Sequence, residues 1–540
     1  MLVTTTEDEQ IWTAAERTLS RDPASGVNTA VEACGRYAGH PGRLALIVCE
    51  PDGSARRWTY SELDALASRC ARMFASAGLR RGDRVAAVLG RQVESLVCAL
   101  AAWRSGLVYV PLYCGFGSDA LAYRIEVSRS GMVVADQRYR DVLDEALARV
   151  PGDVHVVTVG RGHQGDRSFW EEIERAAPDG PEADTTVDEP ATLMFTSGTT
   201  GAAKACVIPH GGLISLLPYA AHGLAAGPGD LLFTTADPGW SYGLYTTGVA
   251  PMARGVPRVI YTGDFDASAW RRLMVAHGVT HLAAAPSAYR LLVRTLSTEG
   301  PVPSLTGAVS AGEPLPADLA QAWQSLPAPA IRDGYGLSEV GMVLADLGDP
   351  LSATEPGSLA GPVPGFEVSL VDDAGDPVAA GEPGRIAIRR PRYQLSTGYE
   401  NVPRQWAERW IDDLFVTEDI ARVDDGGRWR FIGRADDMII TSGFNVSPVE
   451  VESVLLDQPG VADAAVVAAT DPRRGTVVRA VVVLQPGAPG SEVHRDELRA
   501  AVHARVARYA VPRIIDFVDS LPRTEVGKLR RSALRGTSGT

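Results

Sequence analysis

The chain has 540 residues, of which 45% are hydrophobic and 22% charged, and 52 lysines and arginines against 66 aspartates and glutamates leave a net charge of −14. A chain of this length and balance is expected to be globular and to hold more than one domain. Its acidity argues against broad binding to nucleic acid or to an anionic membrane, though not against a local basic site for a small anion. The six cysteines form no CxxC pair, so neither a zinc site nor a disulfide framework is expected, and reduced thiols in a cytoplasmic protein are the simple reading. The acidic N-terminus lacks the apolar core of a signal peptide. No run approaches the ~20 apolar residues of a membrane span.

Taken in order, Ser61 to Ala77 has helical spacing, Arg84 to Leu89 reads as a strand, Glu94 to Ser105 as a helix and Val108 to Val110 as a strand. This alternation predicts a sheet covered by helices in the first third of the chain. Gly160 to Gly180 is polar and glycine-rich and is expected to be a surface connection. A second alternating block follows, and then a stretch of short strands and turns that includes Phe366 to Val371 and Gly384 to Ile388. Ser447-Pro-Val-Glu450 reads as a capping box with proline at the first helical position. The helix it opens places Val451, Val454 and Leu455 on one face; strands at Ala464–Ala469 and Val477–Leu484 and a helix over 495–508 follow. These pieces make a small α+β domain.

The most informative segment is Phe195-Thr-Ser-Gly-Thr-Thr-Gly-Ala-Ala-Lys204, preceded by the apolar run Ala191–Phe195 and followed by Cys206–Pro209. Glycines let backbone N–H groups converge on an anion, hydroxyls donate to phosphate oxygens, and a lysine adds a point charge. The spacing predicts a strand, a polyphosphate-binding loop and a second strand. It is not the Walker pattern, which needs glycine before the lysine and serine or threonine after it. The competing reading is a polar surface loop.

This loop resembles that of the adenylate-forming superfamily, which includes acyl-CoA synthetases, peptide-synthetase adenylation domains and luciferases. Further matches follow in that family's order along nearly the whole chain: Thr59-Tyr-Ser-Glu-Leu63, Gly106–Pro111, Asp237-Pro-Gly-Trp240, Ser310-Ala-Gly-Glu-Pro314, Gly334-Tyr-Gly-Leu-Ser-Glu339, Thr417-Glu-Asp419, Gly433-Arg-Ala-Asp-Asp437 and Pro522–Lys528. The segment Pro111–Arg124 is similar to acyl-CoA synthetases for medium-chain, aromatic or alicyclic acids.

The resemblance implies an α/β fold: a large N-terminal domain, residues 1–434, of helix-covered sheets with a β-rich subdomain, and a small α+β lid, residues 435–540, that turns about Asp436 between two half-reactions. A carboxylate would attack the α-phosphate of ATP to give an acyl-adenylate, and the thiol of coenzyme A would then expel AMP. Catalysis would fall to Lys528, Glu339, Lys204 and Thr196, with Glu339 and Thr199 at a Mg²⁺ ion. The loop residues Thr196, Ser197, Gly198, Thr199, Thr200 and Lys204 would hold phosphates, while Gly312, Glu313, Pro314, Asp333, Gly334, Tyr335, Gly336 and Ser338 would surround adenine. Asp419, with Phe431 and Arg434 near it, would take the ribose, and Ser442, Gly443 and Phe444 the pantetheine arm. Trp240, Gly243, Ala311 and Gly336 would line the acyl pocket. The bland readings are a basic tail around Lys528 and core aromatics at Tyr335 and Trp240.

The family pattern breaks at three places. Ala203 stands where proline is usual, Ala205 where glycine is usual, and Glu418 replaces the glycine of a Thr-Gly-Asp motif. If position 205 needs a left-handed backbone, alanine there costs ~1–2 kcal/mol. Glu418 would put a negative charge near the nucleotide. Either these changes are neutral, or they weaken handling of the ATP triphosphate. The sequence therefore reads as an acyl-CoA synthetase acting on a small carboxylic acid with ATP and coenzyme A. The alternatives are a specialist in the thioester half-reaction fed by a second adenylating enzyme, a stand-alone enzyme loading a carrier protein, and a non-catalytic nucleotide- or acyl-CoA-binding protein. No nucleic acid partner is expected.

Overall fold

The computed structural model describes residues 6–160, 167–196, 203–348, 358–359, 361–435, 437–441, 444–471, 475–488, 490–523 and 529–535. Two large sheets dominate. A nine-stranded sheet has a parallel centre, with Leu232–Thr234, His281–Ala284, Gly307–Ala311 and Ile331–Leu337 side by side. An eight-stranded sheet carries Arg84–Val88, Val108–Leu112 and Met132–Asp136 in parallel and ends in an antiparallel pair, Pro190–Thr196 with Lys204–Pro209. The alternation in the sequence dictates this: apolar runs too short for helices become buried parallel strands, and amphipathic segments cover them.

Buried helices pack on these sheets, and one of them, Gly212–His222, touches both. Val93–Arg104 is buried on nearly every side, as its run Ser-Leu-Val-Cys-Ala-Leu-Ala-Ala-Trp demands. Gly212–His222 touches both Lys204–Pro209 of one sheet and Gly341–Ala345 of the other. The helix Tyr60–Ser76 shows what Thr59-Tyr-Ser-Glu does locally: Thr59 and Glu62 form a reciprocal capping box. A five-stranded antiparallel sheet containing Leu414–Val423 and Trp429–Arg434 follows.

The C-terminal segment forms its own core, with a three-stranded sheet of Val461–Asp471, Gly475–Leu484 and Ile514–Val518 under helices Pro448–Leu456 and Glu492–Arg505. Val451, Val454 and Leu455 are buried in it. Ser447 caps its helix through the Glu450 amide at 3.2 Å, and its hydroxyl also donates to the Ile432 carbonyl across the expected boundary.

Three local expectations are corrected. Gly160–Gly180 holds a helix, Phe169–Arg175, whose Phe169 and Ile173 are buried. The last long helix begins at Glu492, where Ser491 caps it, three residues before the expected start. Lys204 lies in the second strand of the pair, opposite Thr196, and not in the loop.

Candidate active site

Three of the expected site residues, Thr196, Lys204 and Glu339, come together where Pro190–Thr196 and Lys204–Pro209 meet the segment after Ile331–Leu337. Pairing sets Thr196 opposite Lys204 and Met194 opposite Cys206, and the two-residue period of strands puts Lys204 and Cys206 on one face. The short strand Gly398–Tyr399 adds to this edge and pairs Tyr399 with Cys206. The Lys204 ammonium stands 5.2 Å from the Tyr399 ring centroid, within cation–π range. The Tyr399 hydroxyl donates to Glu339 Oε1 at 2.6 Å. One tyrosine thus touches both the lysine and the carboxylate expected to face the phosphates. Thr196 Oγ1 donates to the Lys204 carbonyl at 3.5 Å. Burial, reinforced by the charge of Glu339, pushes the Cys206 thiol well up, so it stays neutral and unreactive.

Ser197, Gly198, Thr199, Thr200, Asp436, Ser442, Gly443 and Lys528 lie outside the described residues. Phe444 opens the strand Phe444–Val446 that pairs with Ile439–Thr441.

From Glu339 the chain runs back through Ser338, which is half-buried, to Tyr335 and a second cluster. The Tyr335 hydroxyl donates to Asp419 Oδ2 at 2.7 Å, and Arg434, opposite Asp419 in the strand register, donates to Oδ1 at 3.4 Å. Both oxygens of the expected ribose ligand are therefore engaged. Phe431 lies beside Tyr335, with ring centroids 6.5 Å apart. Asp333 is buried and its carboxyl is pushed up to about 8 by that burial, partly offset by the Leu315 amide 3.3 Å from Oδ2. Among the described residues, Asp333 Oδ1 and the hydroxyl of Ser310, its partner in the parallel register, find no hydrogen-bond partner. Buried polar atoms of this kind are costly unless a ligand or water meets them.

The glycines here serve different ends. Gly312 has φ +94 with open space around it, between buried Ala311 and the turn of Glu313 and Pro314. Gly334 and Gly336 are crowded: an added Cβ would stand 2.8 Å from Met342 Cε and 2.3 Å from the Gly341 carbonyl oxygen, respectively.

A third group is apolar. Trp240, Tyr113 and Phe116 form a triangle with centroids 5.7 to 6.0 Å apart, and the buried Trp240 indole N–H has no partner among the described residues. After Trp240 the chain forms a π-helix, Tyr242–Val249, a geometry often found at functional sites. Gly243 within it packs so tightly on the turn that an added Cβ would stand 2.1 Å from the Asp237 carbonyl oxygen.

Two of the three departures from the family pattern lose their expected cost. Ala205 sits in a regular strand, and the described non-glycine residues with positive φ are Arg129, Ala225 and Asp412, so alanine at 205 carries no left-handed strain. Glu418 is next to Asp419 on Leu414–Val423, and strand alternation turns it to the opposite face. There it pairs with Arg385 at 3.1 Å and with Arg409, so its charge is matched. Sequence reasoning missed these arginines, and it also missed Tyr399, Asn401 and Tyr123. Asn401 touches Ala205 although the two lie 196 positions apart, a pairing that no local spacing could reveal.

Comparisons with known proteins show which family this chain belongs to. The model of the AMP-binding enzyme family matches residues 35–400, and that of the AMP-binding enzyme C-terminal domain matches residues 450–528. The chain is 31% identical to the mitochondrial acyl-coenzyme A synthetase ACSM4 of Mus musculus over 92% of this chain and 87% of that one. It is similar to the crystal structure of an acyl-CoA synthetase from Brucella canis, with TM-score 0.75 and 33% identity over 97% and 96% of the two chains. It is also similar to the anthranilate CoA ligase AuaEII in complex with anthranoyl-AMP, with TM-score 0.86 and 25% identity over 94% and 97%. No helix among the described residues is long and apolar enough to cross a membrane. The chain belongs to the AMP-binding enzyme family, the adenylate-forming superfamily that its motifs resemble.

Proposed function

We propose that this protein is an AMP-forming acyl-CoA synthetase, an acid–thiol ligase that makes an acyl-adenylate from a carboxylic acid and ATP and then a thioester with coenzyme A. The observation that carries the reading is the continuity of Tyr335 to Glu339: one end of this segment holds Asp419, the other meets Tyr399 and through it Lys204. A nucleotide lying along it would have its ribose at Asp419 and its phosphates at Lys204.

In the first step two anions meet, so the protein must position them and offset their charge. Lys204 supplies a positive charge on the phosphate side, with Thr196 at the start of the loop. Glu339 fits a Mg²⁺ site, because such ions need only one or two carboxylates beside phosphate oxygens and its Oε2 is not used by Tyr399. Bound there, the ion would neutralise phosphate charge. Asp333 and Ser310 offer adenine a polar edge. The triangle of Trp240, Tyr113 and Phe116 gives the acid an apolar, aromatic wall, which favours small aromatic or medium-length acids. Lys528, on the lid in the motif Pro522–Lys528, completes adenylation in this reading, and Ser442 to Phe444 guide the pantetheine arm after the lid of residues 435–540 turns about Asp436. The six free cysteines suit a reducing, cytoplasmic setting.

The test is to incubate the protein with ATP, Mg²⁺, coenzyme A and a panel of acids that includes benzoate, anthranilate and octanoate. Acyl-CoA, AMP and pyrophosphate in equal amounts support the reading. Thioester formed only from supplied acyl-adenylate points to the half-reaction specialist, and exchange with transfer only to a carrier protein's phosphopantetheine points to a loading enzyme. No turnover with any acid under conditions where AMP binds points to a binding protein.

A further inference from the structure

The backbone on both sides of Lys204 is held by Asn401, outside every motif discussed above, and by Tyr123, near the end of the segment Pro111–Arg124. Asn401 Oδ1 accepts from the Ala205 amide at 3.0 Å, while its Nδ2 donates to the Ala203 carbonyl at 3.0 Å. Tyr123, from the helix Ser118–Ser128, donates its hydroxyl to the same carbonyl at 3.1 Å and accepts from Asn401 Nδ2 at 3.0 Å. The reason for this arrangement is topological. Gly398–Tyr399 pairs with the strand of Lys204, and the Glu400 amide still donates to the Ala205 carbonyl at 2.9 Å. The chain then turns away into the helix Pro403–Ala407. The side-chain amide of Asn401 takes over where the backbone ladder stops, meeting one N–H and one C=O as a further strand residue would.

We propose that Asn401 and Tyr123 are positioning residues for the adenylation step: they fix the backbone of Ala203 to Ala205 so that the Lys204 ammonium is presented above the Tyr399 ring towards the phosphates. This rests on the reading of Lys204 as the phosphate-facing lysine. The side chain of Lys204 has four rotatable bonds, and among the described residues its ammonium meets only the Tyr399 ring, so its place depends on where its backbone starts. Ala203 replaces a residue that would itself have stiffened the loop, and an alanine there leaves more freedom to remove. Hydrogen bonds at its carbonyl and at the next-but-one amide restore that restraint from outside the loop.

The account separates the half-reactions. Misplacing a charged group by an ångström can cost about a hundredfold in rate, and Lys204 would act where the triphosphate reacts. Thiol attack on an acyl-adenylate needs no triphosphate. The experiment measures ATP–pyrophosphate exchange, and separately thioester formation from chemically made benzoyl- or octanoyl-adenylate with coenzyme A. The variants are Asn401→Ala, Asn401→Asp, Tyr123→Phe and Lys204→Met in the full chain. Asn401→Ala is expected to lower kcat/KM for ATP about ten- to a hundredfold while KM for the acid changes less than about twofold. Asn401→Asp keeps the acceptor and loses both donations, so it falls between. Tyr123→Phe costs about two- to fivefold, and less in the Asn401→Ala background because both act on one carbonyl. Thioester formation from supplied adenylate should hold in all of them.

The inference is overturned if exchange in Asn401→Ala stays near wild type, or if both half-reactions fall by the same factor, which is what a merely structural role gives. If Asn401→Ala does not fold, Tyr123→Phe decides on the same two readouts. Lys204→Met keeps the two claims apart: normal exchange in that variant sinks the reading of the lysine itself, while lost exchange there with normal exchange in Asn401→Ala sinks only the clamp.

Discussion

The two halves of the site are prepared in different ways. On the proposed phosphate side, Lys204 is held through its backbone, by strand pairing and by Asn401, and its ammonium is left facing a ring. On the proposed nucleoside side, Asp419 is held through its side chain, with Tyr335 on one oxygen and Arg434 on the other. In the proposed reading a phosphate would meet a charge already in place, whereas ribose hydroxyls would have to replace hydrogen bonds that the protein now makes with itself. The phosphate half should therefore govern rate, and the nucleoside half should govern affinity.

Substitutions can break or sharpen that contrast. The largest effect is expected for Lys204→Met, which should lower kcat of pyrophosphate exchange by about a hundredfold or more, as loss of a preorganised charge does, with KM for ATP much less affected. Asp419→Ala should do the reverse, raising KM for ATP by about tenfold with a smaller change in kcat. Equal effects of both variants on both constants would erase the distinction. Tyr335→Phe frees Asp419 Oδ2 from a bond that a ribose, in the proposed reading, would have to replace, and it keeps the ring proposed to meet adenine, so KM for ATP should change by less than about threefold. Glu418→Gly restores the usual family residue, yet exchange should change by less than about threefold, because Arg385 and Arg409 already match the charge of Glu418.

A stability prediction concerns a buried group away from the chemistry. His210 is buried, and that burial lowers its pKa from 6.5 to about 4. Its Nδ1 accepts from the Thr29 amide at 3.0 Å, so the neutral ring carries its proton on Nε2. A depressed histidine pKa means that the unfolded state binds protons first as pH falls. Stability from this group is present above about pH 6.5 and is lost as pH falls towards 4, by about 2 kcal/mol between pH 7 and pH 5. Denaturant midpoints of wild type and His210→Gln over that range check it: the variant should show a shallower fall, and parallel curves would remove His210 as the cause.

What could be read from the sequence was what is local. The strand pair around Lys204 was legible because apolar runs flank a polar loop, and the Ser447 cap because capping is a four-residue affair. The motif Gly334–Glu339 stood out through its resemblance, and the structure adds what touches each end of it, Asp419 at Tyr335 and Tyr399 at Glu339. Tyr399 and Asn401 were not legible, since only the pairing of Gly398–Tyr399 with a distant strand brings them to Lys204. The arginines beside Glu418 come from neighbouring strand and turn positions, so its charge looked free in one dimension. The helix Phe169–Arg175 was hidden because its core face is only two residues wide, within an otherwise polar stretch.

The central claim is that the acid passes through an adenylate before it meets the thiol. The most direct measurement uses a turned-over carboxylic acid labelled with ¹⁸O in its carboxylate, followed by mass spectrometry of the nucleotide and phosphate products. If a carboxylate oxygen attacks the α-phosphate, one ¹⁸O atom must leave with AMP when coenzyme A displaces it. The account predicts AMP carrying a single label and unlabelled pyrophosphate. Labelled inorganic phosphate with ADP, or acyl-CoA formed with unlabelled AMP, would contradict it.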